Sequence, residues 1–156
     1  MSLDATARLS NVMDSLKKYF FDSLYTTEGK EVMFDKSLST PDLADKSIDR
    51  WVVINFGALD MGTLSEFYLN IFVCSRNDAE SFKNAQLRDV VMSYLSDTTT
   101  TDGMRRIPLY QSSATVAWTL IGAFVVQEVT EGPLFEAEDM TKYRQLTVRL
   151  RWASKI

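Results

Sequence analysis

Two stretches of strict alternation constrain the fold of this 156-residue chain more than any other feature. In segment 64–74, Phe67, Leu69, Ile71 and Val73 fall on one parity, and in segment 143–152, Leu146, Val148, Leu150 and Trp152 do the same. A period of two places each apolar set on one face of a β-strand. The second stretch carries Gln145, Thr147, Arg149 and Arg151 on its other parity, so that strand has one apolar and one basic face. Strands wetted on one side point to an antiparallel sheet, because parallel sheets are covered on both faces.

The rest of the chain supplies what covers the apolar face. Segment 9–24 sets Leu9, Val12, Met13, Leu16, Tyr19, Phe20 and Leu24 at three- and four-residue spacings, the stripe of an amphipathic helix. After Gly29 a short strand is expected over 31–35, followed by a polar, turn-rich loop over 37–50. The apolar run 51–56 pairs with 64–74 as a hairpin joined through Gly57, Asp60 and Gly62. Asn77 is the expected N-cap of a second helix, with Glu80 three residues on as in a capping box and Asp78 complementing the helix dipole. That helix turns Leu87, Val90, Val91, Tyr94 and Leu95 inward, and Phe82 is assigned to its packing. A mobile loop over 96–103, a short strand near 107–110 and a long strand over 115–129 follow. The long strand carries Val116, Trp118, Leu120, Phe124 and Val126 on one parity, with Gly122 as a candidate bulge. Segment 131–142 reads as another loop. Helix, strands, helix, strands, without βαβ alternation, predicts one α+β domain over 1–156. Its mostly antiparallel β-sheet is packed by two α-helices, with long loops at the sheet ends.

Composition closes off much chemistry. Histidine is absent, which removes Ser-His-Asp and Cys-His nucleophile systems and every histidine-containing zinc site. Cys74 is the single cysteine, so neither an internal disulfide nor a cysteine cluster is available, and synthesis in a reducing cytosol fits. No glycine-rich phosphate loop occurs, and Asp42, Asp45 and Asp49 lack the spacing of a calcium loop and read as a solvated acidic stretch. Catalytic, cofactor and metal residues are therefore expected to be none. No spacing singles out a pair of carboxylates, which leaves a small carboxylate-dependent enzyme or ligand-binding domain as the remote alternative. The net charge of −4 gives no overall basic field toward nucleic acid or an anionic membrane. The polar segment 1–10 does not read as a signal peptide, and no apolar run reaches the length of a membrane span.

What remains is surface. Arg149 and Arg151 share a strand face, with Arg105 and Arg106 on a candidate neighbouring edge, and together they form either ordinary solvent-facing arginines or a basic partner surface. The acidic segment Glu131, Glu136, Glu138 and Asp139 on an adjacent copy is an available complement, with Leu134, Phe135 and Met140 as apolar groups in the same stretch. A patch matched to a different patch on the next subunit is heterologous and closes into a ring where the rotation permits. Trp51, Trp118 and Trp152 read as core or sheet-face residues rather than base-stacking platforms.

The order of segments resembles the tail terminator and tail completion proteins of long-tailed bacteriophages, small α+β head-tail joining proteins. The resemblance runs through the N-terminal helix, Trp51-Val52-Val53-Ile54, Val73-Cys74-Ser75-Arg76 and the helix opening Asn77-Asp78-Ala79-Glu80. It is most specific in Thr130-Glu131-Gly132-Pro133-Leu134-Phe135 followed by Gln145-Leu146-Thr147-Val148-Arg149-Leu150. It implies a non-enzymatic virion protein, assembled in the host cytoplasm as a homohexameric ring at the head-proximal end of the tail. Such a ring stops tube polymerisation and offers a surface to the head. Its partners would be itself, the tail tube protein and the head-tail connector or neck proteins. It implies no membrane and no sequence-specific nucleic acid, although DNA would pass through the ring. Another neck-ring component or a tail tube subunit is the alternative within the same class.

Overall fold

The computed structural model describes residues 3–35, 48–113, 116–137 and 140–154. A six-stranded sheet of order β1-β2-β3-β6-β5-β4 is built from β1 (Glu31–Phe34), β2 (Arg50–Asp60), β3 (Leu64–Ser75), β4 (Arg106–Ser113), β5 (Val116–Glu136) and β6 (Lys142–Ala153). All neighbours are antiparallel except β1 and β2, which run parallel. One parallel pair among five neighbours fits the expected mostly antiparallel sheet, and the segment 35–49 gives the chain the length a crossover needs. Asp42 and Asp45 lie outside the described residues. Asp49 is bound as a structural ion-pair partner, 2.7 Å from Lys83 Nζ.

Helix α1 (Leu9–Phe20) continues as a π-helical turn over Phe21–Thr27, and α2 spans Phe82–Ser93. Both pack on the same face of the sheet. Val12, Leu16, Phe20 and Leu24 from the first helix and its π-helical turn, Leu87 and Val91 from the second and Leu95 just after it share one buried cluster with Val52, Ile54, Leu69, Ile71, Phe124, Leu146, Val148 and Leu150. The alternation of β3 and β6 is what delivers those strand residues to the helices. Trp152 sits at the far end, its indole N–H donating to Thr6 O at 3.0 Å and its ring edge-on to Phe124.

Several local expectations are corrected. The β2–β3 connection is residues 61–63, so Gly57 and Asp60 lie within β2. Gly57 sits where the pairing with β3 shifts register, and a Cβ there would lie 2.9 Å from the Tyr68 carbonyl oxygen. The glycine thus serves close backbone approach inside a sheet rather than a turn. Gly57→Ala should force β2 away from β3 and lower stability by about 1–3 kcal/mol. An unchanged urea midpoint would contradict this. Asn77 adopts φ 51° and does not cap α2. The cap is Asp78, whose carboxylate accepts from Lys83 N at 3.1 Å and Asn84 N at 2.9 Å, because a left-handed Ser81 (φ 63°) delays the helix start. The capping box with Glu80 is accordingly absent from the first turn. Phe82 is 66% exposed, since that delayed start turns it off the packed face.

In β5 the expected single parity breaks. Leu109 opposes Gly122 but Tyr110 opposes Leu120, so a bulge at Ile121 leaves Trp118 and Leu120 exposed while Phe124 and Val126 are buried. Gly122 marks that site, as expected. Segment 131–136 is strand, not loop: after a second register shift Leu134, Phe135 and Glu136 pair with Arg144, Tyr143 and Lys142. Backbone pairing across Gly132 and Pro133 outweighed the turn composition that suggested a loop. The threonine-rich segment is a surface loop, as expected, in which Asp97 N donates to Gly103 O at 2.8 Å and Asp97 Oδ1 accepts from Thr99 N and Oγ1.

Candidate interaction surface

The sheet face opposite the helices is the candidate surface, and register alone builds it. Directly opposed residues of antiparallel neighbours share a face. One row across β4, β5, β6, β3 and β2 is Arg106, Val125, Arg151, Glu66 and Asp60. The next is Glu128, Arg149 and Tyr68, and the third is Thr130, Thr147, Asn70 and Asn55. Beyond these the face turns apolar: Gln145 opposes Phe72 and then Val53 and Met33, and Phe135 opposes Tyr143, Cys74 and Trp51. The surface therefore grades from charged to amide-rich to aromatic along the strands.

Its charged end is internally paired. Arg151 Nη2 donates to Glu66 Oε1 at 2.7 Å, and Arg149 Nη2 lies 3.5 Å from Glu128 Oε2. The hydrogen bond from Arg151 chiefly holds the Glu66 carboxyl below its usual range against the opposing push of desolvation; Arg149 and the Tyr68 hydroxyl add to the lowering. In the middle, Asn70 Oδ1 accepts from Gln145 Nε2 at 3.0 Å and Thr147 Oγ1 at 3.3 Å. Among the described residues Arg149 Nε, Arg151 Nε and Asn55 Oδ1 are buried without a hydrogen-bond partner. Each such group costs about 1–3 kcal/mol while unpaired. At the aromatic end Phe135 stacks on Tyr143 at 5.6 Å, and the Arg76 guanidinium lies 4.9 Å over the buried Trp51 ring.

The structure sorts the expected site residues. Arg106, Arg149 and Arg151 fall on one face, and Arg106 shares a row with Arg151. Arg105 does not join them: it reaches Ser96 O and Ser93 O at 3.1 Å each and ties β4 to the segment after α2. Glu131 points to the helix side, where Arg88 of α2 takes its carboxylate, so it is not a free complement for a neighbour. Leu134 is half-buried, Phe135 belongs to the aromatic end, and Glu136 lines a cleft beside Arg76. Glu138 and Asp139 lie outside the described residues. Sequence reasoning missed Glu66, Tyr68, Asn70 and Phe72, although the polar parity of segment 64–74 carries them as plainly as the other parity carries the core.

No family model matches the chain, and no curated protein matches it. Seventeen solved chains match its fold. One of them, whose name describes no function, superposes with a TM-score of 0.56 at 10% identity, over 96% of this chain and 97% of that one. At that identity the likeness speaks for the fold alone, shared over the length of both chains.

Proposed function

We propose that this chain is a structural, non-enzymatic virion protein of the tail terminator or tail completion type. It forms a ring, hexameric by the resemblance, on the head-proximal end of a phage tail tube. There it stops tube growth and presents a surface to the head. The observation that carries the reading is the outer sheet face, left uncovered by both helices yet holding buried, unpaired guanidinium nitrogens at Arg149 and Arg151. Once these half-exposed side chains turn toward acceptors on a neighbouring subunit or tube ring, their Nε–H groups would be satisfied. The segment order in the sequence supports the same class. Contacts repeated around a ring add through effective concentration, so a small subunit needs no single deep pocket.

The test is the mass of the purified chain by light scattering over a concentration series, with negative-stain images, alone and with tail tubes. Rings near six times the mass of one chain, or rings appearing on tube ends, are expected, and tubes assembled with the protein present should stop growing. Open filaments would move the assignment to a tube subunit. A chain that stays monomeric and leaves tubes unchanged would remove the proposal.

A further inference from the structure

Resting on the assembly reading, we infer that successive copies of this chain join head to tail, the β2–β3 hairpin tip of one copy docking in the Arg76 cleft of the next. The two surfaces lie at opposite ends of β3. That strand has 12 residues. At ~3.4 Å per residue the two surfaces are roughly 40 Å apart. Being different and distant, they can meet only between copies, in a heterologous contact.

The cleft has a volume of about 670 Å³ and is lined by Arg76, Asn77, Ala79, Glu136, Met140 and Lys142, with the Asp78 cap at its base. Its cations differ in availability. Lys142 Nζ is already spent on Ala79 O at 3.0 Å and Ser81 Oγ at 3.3 Å. The Arg76 guanidinium carbon lies 4.9 Å from the centre of the Trp51 ring and the backbone N–H of Arg76 is anchored on Asp49 O at 2.7 Å. Its guanidinium makes no hydrogen bond or ion pair among the described residues. The Trp51 ring covers one side of that group, and its N–H fork, which has no partner among the described residues, can grip a carboxylate bidentately. Asp78 is occupied by the amides of Lys83 and Asn84, and Glu136 lines the cleft without bonding to Arg76. Met140, 72% exposed, adds an apolar rim.

The hairpin tip is the complement. Asp60 stands directly opposite Glu66, a like-charge pair that disfavours both. Glu66 is relieved by Arg151, whereas Asp60 is exposed and has no ionic partner among the described residues. On either side of the turn Met61 and Leu64 stand 40% and 60% exposed. A carboxylate flanked by apolar side chains meets a guanidinium with an apolar rim, neither having an ionic partner among the described residues, and each resolves the other's deficit. The contact uses the two ends of the outer sheet face and leaves its middle rows, Glu128-Arg149-Tyr68 and Thr130-Thr147-Asn70-Asn55, open for use elsewhere.

Charge exchange tests the pairing. Asp60→Arg or Arg76→Glu alone should raise the concentration for half-association by ~10-fold or more, and the double exchange should return it to within about threefold of the wild type. Trapping covers weak association. Mixed at about millimolar concentration under mild oxidation, Met61→Cys and Met140→Cys chains should yield the mixed dimer well above either homodimer, and Arg76→Glu should abolish it. Cys74 is buried and does not compete. Single reversals without effect, a double variant no better than the singles, or no preference for the mixed dimer would overturn the head-to-tail contact. If rings still formed in any of those cases, the assembly reading would stand and only this contact would fall.

Discussion

Replacing Phe20 by alanine should lower the stability of the fold by about 3–5 kcal/mol, the range for emptying a fully buried phenylalanine site. Phe20 is wholly inaccessible and sits where α1 passes into its π-helical turn, packed in the cluster that joins both helices to the sheet. The helix leading into that position is tied down at two side chains. Ser15 Oγ accepts from Tyr110 N at 2.7 Å on β4, and the Tyr19 hydroxyl donates to Tyr94 O at 2.6 Å after α2. A site clamped in this way cannot collapse to fill the space, which places the cost in the upper part of the range. Native domains hold only ~5–15 kcal/mol in total, so the variant should be close to unfolding at moderate temperature. Urea denaturation followed by circular dichroism gives the value, and a loss below about 1 kcal/mol would mean that α1 does not pack on the sheet.

Asp78→Ala should cost about 2–4 kcal/mol, because two backbone amides lose an ionised acceptor in a buried place. The carboxylate also accepts from Ser75 Oγ at 3.0 Å, and the neighbouring Asn84 amide reaches Val73 O at 2.9 Å, so the cap stitches α2 to β3. A pH signature accompanies the loss. Burial pushes the Asp78 carboxyl up, but the Asn84 and Lys83 amides, the Ser75 hydroxyl and the Lys142 charge together hold it below its ordinary value of 3.8. A depressed folded-state value means that the ionised cap stabilises the protein fully above the unfolded value and loses that contribution as pH falls through the folded one. The gap between wild type and Asp78→Ala should therefore be flat near neutral pH and close progressively on acidification below 3.8. A gap independent of pH would show that the charge on Asp78 does not carry the cap.

How much was legible depended on how local the physics was. The buried parity of β6 and the inner stripes of both helices follow from periodicity, except at Leu9, which stands exposed at the first residue of α1, and Gly122 was correctly marked as an irregularity. Where two local signals competed, composition misled. Gly57 looked like turn chemistry, but the close approach of the Tyr68 carbonyl is a property of the pairing. Gly132 and Pro133 looked like loop residues, yet their neighbours were recruited into β5 by a partner strand ten residues away in sequence. Of the candidate surface, Arg149 and Arg151 could be placed on one face by alternation. Arg105 and Arg106, adjacent in sequence, part company because the start of β4 falls between them. In the sequence Arg76 reads only as part of a resembling stretch and Asp60 only as a turn residue, with no signal of a site. The availability of one arises from stacking on Trp51, and the charge deficit of the other from standing opposite Glu66.

The sequence by itself determined the α+β class, the two helical stripes, the faces of β3 and β6 and the catalytic systems that a chain without histidine cannot use. Each of these depends on a side chain's own chemistry or on the fixed periods of helix and strand. Only the tertiary structure decided the strand order, the parallel β1, the true cap of α2 and which charges are spent inside the subunit. Those outcomes depend on which distant strand lies alongside, and pairing register couples residues that no local period connects.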